Sequence, residues 1–192
     1  MTIETDKKTL GAREFIEQYL IDRIISIADK DPYFGFTLIG IGIESLGAFL
    51  DRQDFHKPKM SSPRFKAALQ SLFDDQQYFT HWKRIYESMR CGLAHVTKPK
   101  ENILLFGLGN HVDHLTVQNK ILILSLDRFR SDYIAAAKKL ITMIDNSDPH
   151  IDRRKLGKIL TESYSVAEEP ATGRLTSDSG TGSPYAQSLY RP

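Results

Sequence analysis

Apolar side chains recur along the chain at two different spacings, and the switch between them divides the chain into elements. Phe15, Ile16, Tyr19, Leu20, Ile24 and Ile27 return at helical intervals between Ala12 and Ala28, with Glu14, Glu17, Asp22 and Arg23 largely opposite. That pattern predicts a first helix. Asp31-Pro32 interrupts it, and Tyr33 to Arg52 predicts a second helix, apolar over more than half its circumference and therefore central. Ser62-Pro63 reads as an N-cap followed by proline at the first helical position, so a shorter third helix is expected to about Phe73. Tyr78, Trp82, Ile85, Met89, Leu93 and Val96 form the stripe of a fourth.

The period changes after Lys98-Pro99. Asn102 to Phe106 and Leu115 to Leu124 are rich in leucine and β-branched residues and are broken by Gly107, Gly109 and Gln118-Asn119-Lys120, which predicts a small β-hairpin or three-stranded ribbon. Helical spacing returns from Leu126 to Ile144 and stops at Asp148-Pro149; Asp152 to Leu160 is expected to add one short helix. Beyond Val166 the chain is Ser, Gly, Thr and Pro with almost no aliphatic residues, too little apolar surface to offset the entropy of ordering. The expected organisation is one mainly α-helical domain over 1–165, with a hairpin inserted before the last long helix, and a disordered polar tail over 166–192. Tyr185 and Tyr190 read as solvated parts of that tail.

Composition narrows the function classes. The 192 residues suit one domain with a proper core, and the formal charge of +2 provides no global field of the kind that marks a dedicated nucleic-acid or membrane binder. Any RNA contact must be a local patch. Cys91 is the single cysteine, so an intrachain disulfide is ruled out and a reducing compartment is the simpler expectation. Met1 to Leu10 carries Lys7 and Lys8 but no following apolar stretch, and the apolar run Phe34 to Leu50 is interrupted by four glycines and Glu44. A cytoplasmic protein without a membrane span is expected.

Two helices carry the candidate chemistry. On the second, Leu38, Ile39, Ile43, Leu46, Phe49 and Leu50 share one arc, and the opposite arc sets Glu44 among Gly40, Gly47 and Ala48. A carboxylate among residues that small suits a close helix crossing with an arginine partner, or the positioning of a substrate group. On the fourth, Arg90 and His95 lie five positions apart, which in an undistorted α-helix separates them by roughly 140°. They meet on one phosphate only if Gly92 breaks the helix or a two-fold dimer brings together both copies. Histidine can exchange a proton with a ribose 2′-hydroxyl or a leaving oxygen near neutral pH, while a guanidinium forks onto the phosphate. Spacing alone favours a structural reading, with His95 on the last helical carbonyls and Arg90 on a carboxylate.

Lys57, Lys59, Arg64 and Lys66, together with Lys83 and Arg84, form the local basic patches able to hold an RNA backbone, while Trp82 falls on the core stripe and is expected to be buried. His111 and His114 flank Asp113, but nothing nearby completes a metal site, so both are expected to be solvated loop residues. Gly40-Ile41-Gly42 lacks the third glycine and the preceding strand of a dinucleotide fingerprint.

The glycine-studded FTLIGIGIESLGAFLD, the short helix RFKAALQSLF and the aromatic-rich segment ending YESMRCGLAH, followed by a hairpin and LSLDRFRSDYIAAAKKLITMI, resemble the HEPN-like proteins, whose hallmark is R-x4-6-H. The resemblance spans about Phe34 to Ile144. It implies an α-helical bundle, frequent homodimerisation and metal-independent endoribonuclease activity needing no cofactor, often in toxin–antitoxin or phage-defence systems. RNA, a second copy and an antitoxin or other protein are the partners so implied. The residues carried over are Arg90 and His95, with Glu44 or Ser88 as orienting groups. Many active members place a polar residue, commonly Asn, directly after the arginine; here it is Cys91, by default a buried structural cysteine, which is small and only a weak donor. The alternative is therefore a catalytically silent module that binds a nucleotide, RNA or a partner protein through the same cleft.

Overall fold

The two periods are realised as helices and a small sheet in a computed structural model that describes residues 5–93, 99–157 and 159–164. The first helix, α1, covers residues 12–28 and changes its winding twice. It is α-helical over Ala12–Phe15, π-helical over Ile16–Arg23 and α-helical again over Ile24–Ala28. Ile16, Leu20 and Ile24 line its buried side, as the apolar spacing predicts.

Helix α2 spans Pro32–Gly47, and its start is strongly specified. Proline occupies the first turn, and the Asp31 carboxylate accepts the Tyr33 and Phe34 amides at 2.9 and 3.1 Å. This helix is central, touching α1, the third helix α3 (Ser61–Ser71) and the last long helix, Leu126–Asp145. Ile39, Ile43 and Leu46 are fully buried, and Phe36 stacks on Phe129 of that last helix with ring centroids 6.0 Å apart.

Helix α2 stops short of the predicted Arg52 because α3 crosses it at Gly47. A Cβ there would lie 2.0 Å from the Arg64 carbonyl oxygen, so only glycine fits. Past this crossing the chain turns, and two cations take up its carbonyls. Arg64 donates to Phe55 O at 2.6 Å and Asp54 O at 2.7 Å; Lys155 donates to Asp51 O at 2.6 Å and to Ala48 O. Both also hold the Asp51 carboxylate, Arg64 Nε at 2.6 Å and Lys155 Nζ at 2.7 Å. Helix α3 begins at Ser61, before the predicted Ser62 cap, without a side-chain cap bond.

The predicted fourth helix is divided. Helix α4, Gln76–Thr80, is separated from α5, Trp82–Tyr86, by His81 at φ −103° and ψ 11°. Helix α5 runs on as a π-helical segment, Glu87–Leu93.

The ribbon has three strands in the order β2-β4-β3: β2 (Ile103–Phe106), β3 (Val117–Gln118) and β4 (Ile121–Ser125). Asn119 and Lys120 adopt φ 49° and 67° between β3 and β4, as a two-residue hairpin turn requires, whereas β2 pairs parallel to β4. Helix α6 is Leu126–Asp145, as its spacing predicts. The helix expected over Asp152 to Leu160 is instead a 3₁₀ turn, Arg153–Leu156, followed by strand β5, Ile159–Tyr164. Strand β5 pairs antiparallel with β1, Thr5–Leu10, and neither strand was predicted. The tail 166–192 lies outside the described residues. Among the described residues no helix is long and apolar enough to cross a membrane.

Candidate functional site around Glu44 and Arg90

Helix α2 and the π-helical segment cross at a glycine. A Cβ on Gly40 would sit 2.9 Å from Met89 Cβ, so the small residue allows the two backbones to approach. One turn further along α2 is Glu44, and one residue beyond Met89 is Arg90. The crossing sets Arg90 Nε 2.8 Å from Glu44 Oε2. The same oxygen accepts Ser61 Oγ at 2.6 Å from the first residue of α3, and the Tyr86 hydroxyl donates to Ser61 Oγ at 3.0 Å. Tyr86 is itself braced edge-on against Phe65, with centroids 5.3 Å apart.

The result is a directed chain from Tyr86 through Ser61 to Glu44, which then anchors the guanidinium. Arg90 and Glu44 remain 26% and 22% exposed, so water and ligands reach the pair. An ion pair this accessible contributes at most about 1 kcal/mol to stability. Its consequence is geometric: it fixes one edge of Arg90.

The structure brings together Arg90 and Glu44, as their placement among small residues suggested, and adds Ser61 and Tyr86, which sequence reasoning missed. Ser61 adjoins Ser62, the residue read as the cap, and Tyr86 sits on a helix interpreted through its apolar stripe; no local signal distinguishes either. Ser88 is fully buried, and its hydroxyl has no hydrogen-bond partner among the described residues. Cys91 is half-buried and not the buried core cysteine expected. His95 lies outside the described residues.

The basic residues separate by burial. Lys57 and Lys59 are exposed in the loop before α3. Arg64 is 4% exposed and saturated by Asp51 and backbone carbonyls, so the expected RNA contact through Arg64 is replaced by a structural role. Arg84 is half-buried with Nη1 in the interior and unpartnered among the described residues, and its charge together with burial lowers the His81 pKa. Lys66 sits over the rings of Phe79 and Trp82, and Trp82 is half-buried at this surface and not in the core.

His114 also departs from expectation. It is no solvated loop residue but the centre of a half-buried relay. The Ser125 amide donates to its Nδ1 at 3.0 Å, which places the ring proton on Nε2. Nε2 then faces the Tyr78 hydroxyl at 2.8 Å, and that hydroxyl donates to Asp132 at 2.9 Å. Burial lowers the His114 pKa to about 4, with Arg128 adding to the shift. Burial also raises Asp132 above the usual carboxylate range, despite its bond from Tyr78. His111 is exposed, and among the described residues no group of three or more histidine, cysteine or carboxylate side chains is arranged to hold a metal ion.

Neither a protein-family model, nor a curated protein, nor a solved structure matches this chain. The functional reading rests on the chain's own residues.

Proposed function

We propose that the chain is a HEPN-like protein that cleaves RNA without a metal ion, using Arg90 and His95 in a cleft completed by a second copy of the chain. The observation that carries this reading is the π-helical winding around Arg90. In an α-helix, positions five apart diverge by roughly 140°. Hydrogen bonding from i to i+5 instead narrows that divergence to roughly 50°, and π-segments recur at functional sites. Winding of this kind through Leu93 favours an arginine and a histidine with four residues between them serving one phosphate.

The chemistry follows from the residue types. Neutral His95 takes the proton of a ribose 2′-hydroxyl, whose oxygen forms a new bond to the adjacent phosphorus. The bond from phosphorus to the 5′-oxygen breaks, and the His95 of a second copy, entering protonated, returns a proton to that oxygen. The products are a 2′,3′-cyclic phosphate and a 5′-hydroxyl. Arg90, held by Glu44, supplies hydrogen bonds to the phosphate oxygens as charge develops on them.

One observation favours the second reading, a silent module that binds RNA, a nucleotide or a partner protein. Cys91 occupies the position next to Arg90 where a polar amide would add a further donor, and a thiol donates weakly. A mixed RNA pool incubated in EDTA with wild type, Arg90→Ala and His95→Ala separates the two. Cleavage by wild type and its loss in both variants is expected. No cleavage by wild type at high protein concentration would sink the nuclease reading and leave the binding module.

A further inference from the structure

Glu44 has a second neighbourhood. With Ser45 it lines an open groove of about 670 Å³, together with residues just past α2 and residues of the 3₁₀ turn. The groove carries aromatic, cationic and imidazole side chains: Phe15 and Phe55, Arg52 and Arg154, and His56. Arg52 and His56 are exposed, and their side chains make no hydrogen bond or ion pair among the described residues. Arg154 is 74% exposed, and Asp152 and the Arg52 carbonyl hold its guanidinium in place.

The aromatic wall continues beyond the groove. Phe15 stacks on Tyr19 with centroids 5.6 Å apart and planes 17° from parallel, and the Arg23 guanidinium lies 4.0 Å from the centre of the Tyr19 ring. This ladder follows one face of α1. Flat apolar faces alternating with fixed cations are what a flexible polyanion with planar bases requires, because bases stack on rings while phosphates follow the guanidinium groups.

We infer that this groove and ladder bind the single-stranded RNA that flanks the phosphate addressed by Arg90. The inference rests on the RNA reading above and names the path that the substrate takes. Arg52 and Arg154 hold successive phosphates, Phe55 and Phe15 receive bases, and the strand leaves along Tyr19 and Arg23. It also moves the backbone contacts away from Arg64, which the fold uses internally. Three carboxylates line the groove. Glu44 is engaged by Arg90 and Asp152 by Arg154, but Asp54 is exposed and opposes a phosphate.

The test uses the full chain and a fluorescein-labelled, fully 2′-O-methylated RNA, which lacks the nucleophile and reports binding alone. Arg52→Glu is expected to weaken binding by roughly tenfold or more and to flatten its salt dependence, while Asp54→Asn tightens it by about two- to threefold. Thermal unfolding of both variants, exposed as these side chains are, should match wild type. Binding that neither change moves, or no binding at high protein concentration, overturns the groove assignment. The nuclease reading fails separately, when unmodified RNA stays intact in EDTA. Cleavage with groove-independent binding would sink only the path proposed here, whereas groove-dependent binding without cleavage would sink only the nuclease.

Discussion

Two carboxylates on the same stretch of chain do opposite work. Glu44 is partly solvated and shares one oxygen between Arg90 and Ser61, so its loss disturbs orientation more than stability. Glu44→Gln is expected to reduce RNA cleavage by about one order of magnitude or more while changing unfolding free energy by less than about 1 kcal/mol. Parallel cleavage assays and denaturant titrations check the split. Asp51 instead neutralises Arg64 and Lys155, both under 10% exposed, and Asp51→Asn leaves those cations underpaired in the interior. A loss of about 3 kcal/mol is expected in the same titration. The Glu44–Arg90 pairing was legible because a lone carboxylate among glycines asks for a close cationic neighbour. The Asp51 clamp was not, because Lys155 lies far along the chain and Arg64 reads in sequence as one of several surface lysines and arginines.

At the scale of elements, the main helical stripes were legible, but their winding, the break at His81 and the strand over Ile159–Tyr164 were not. Ile16, Leu20 and Ile24 in α1, and Ile85, Met89 and Leu93 at the fourth helix, repeat every four residues. Four lies between the α-helical turn and the wider π turn, so one apolar stripe fits either. What decides is tertiary contact. Tyr133, on α6, sends its hydroxyl to the Leu20 carbonyl at 2.7 Å, within the π-helical stretch of α1, and Gly42 leaves room for it. At the other π-segment the deciding contact is Gly40 against Met89. Gly40→Ala pushes a methyl group into Met89 Cβ and is expected to cost about 1–3 kcal/mol. It should also separate Arg90 from Glu44, so cleavage or RNA binding at permissive temperature falls by more than the folded fraction does. Gly47→Ala meets a backbone oxygen, which cannot rotate away, and should be the more destabilising of the two.

Across the whole molecule, the features that escaped the sequence are those that join distant parts of it. Strands β1 and β5 bring together residues 5–10 and 159–164, neither of which alternates apolar and polar positions, so only their pairing defines them as strands. The His114 relay joins the loop ahead of β3 to α4, α6 and the end of β4 through three side chains spread along the chain. It makes fold stability depend on pH in a stated direction. The His114 pKa falls from 6.5 to about 4 on folding, because burial disfavours the charged ring and the Arg128 guanidinium adds to the shift. The unfolded chain therefore binds more protons between those values, and stability is full above pH 6.5 and declines as pH falls towards 4. The loss is roughly 2 kcal/mol after allowance for solvent screening. Asp132, whose pKa is raised, partly offsets it by taking up a proton more readily in the folded state. Asp51, held below the usual range by hydrogen bonds that outweigh its burial, adds a further loss only once pH drops below about 4. Denaturant titrations from pH 7 to pH 4 should show this decline in wild type. In His114→Gln, which is less stable at pH 7, the slope over the same interval should be largely abolished; an unchanged slope would place the titrating group elsewhere.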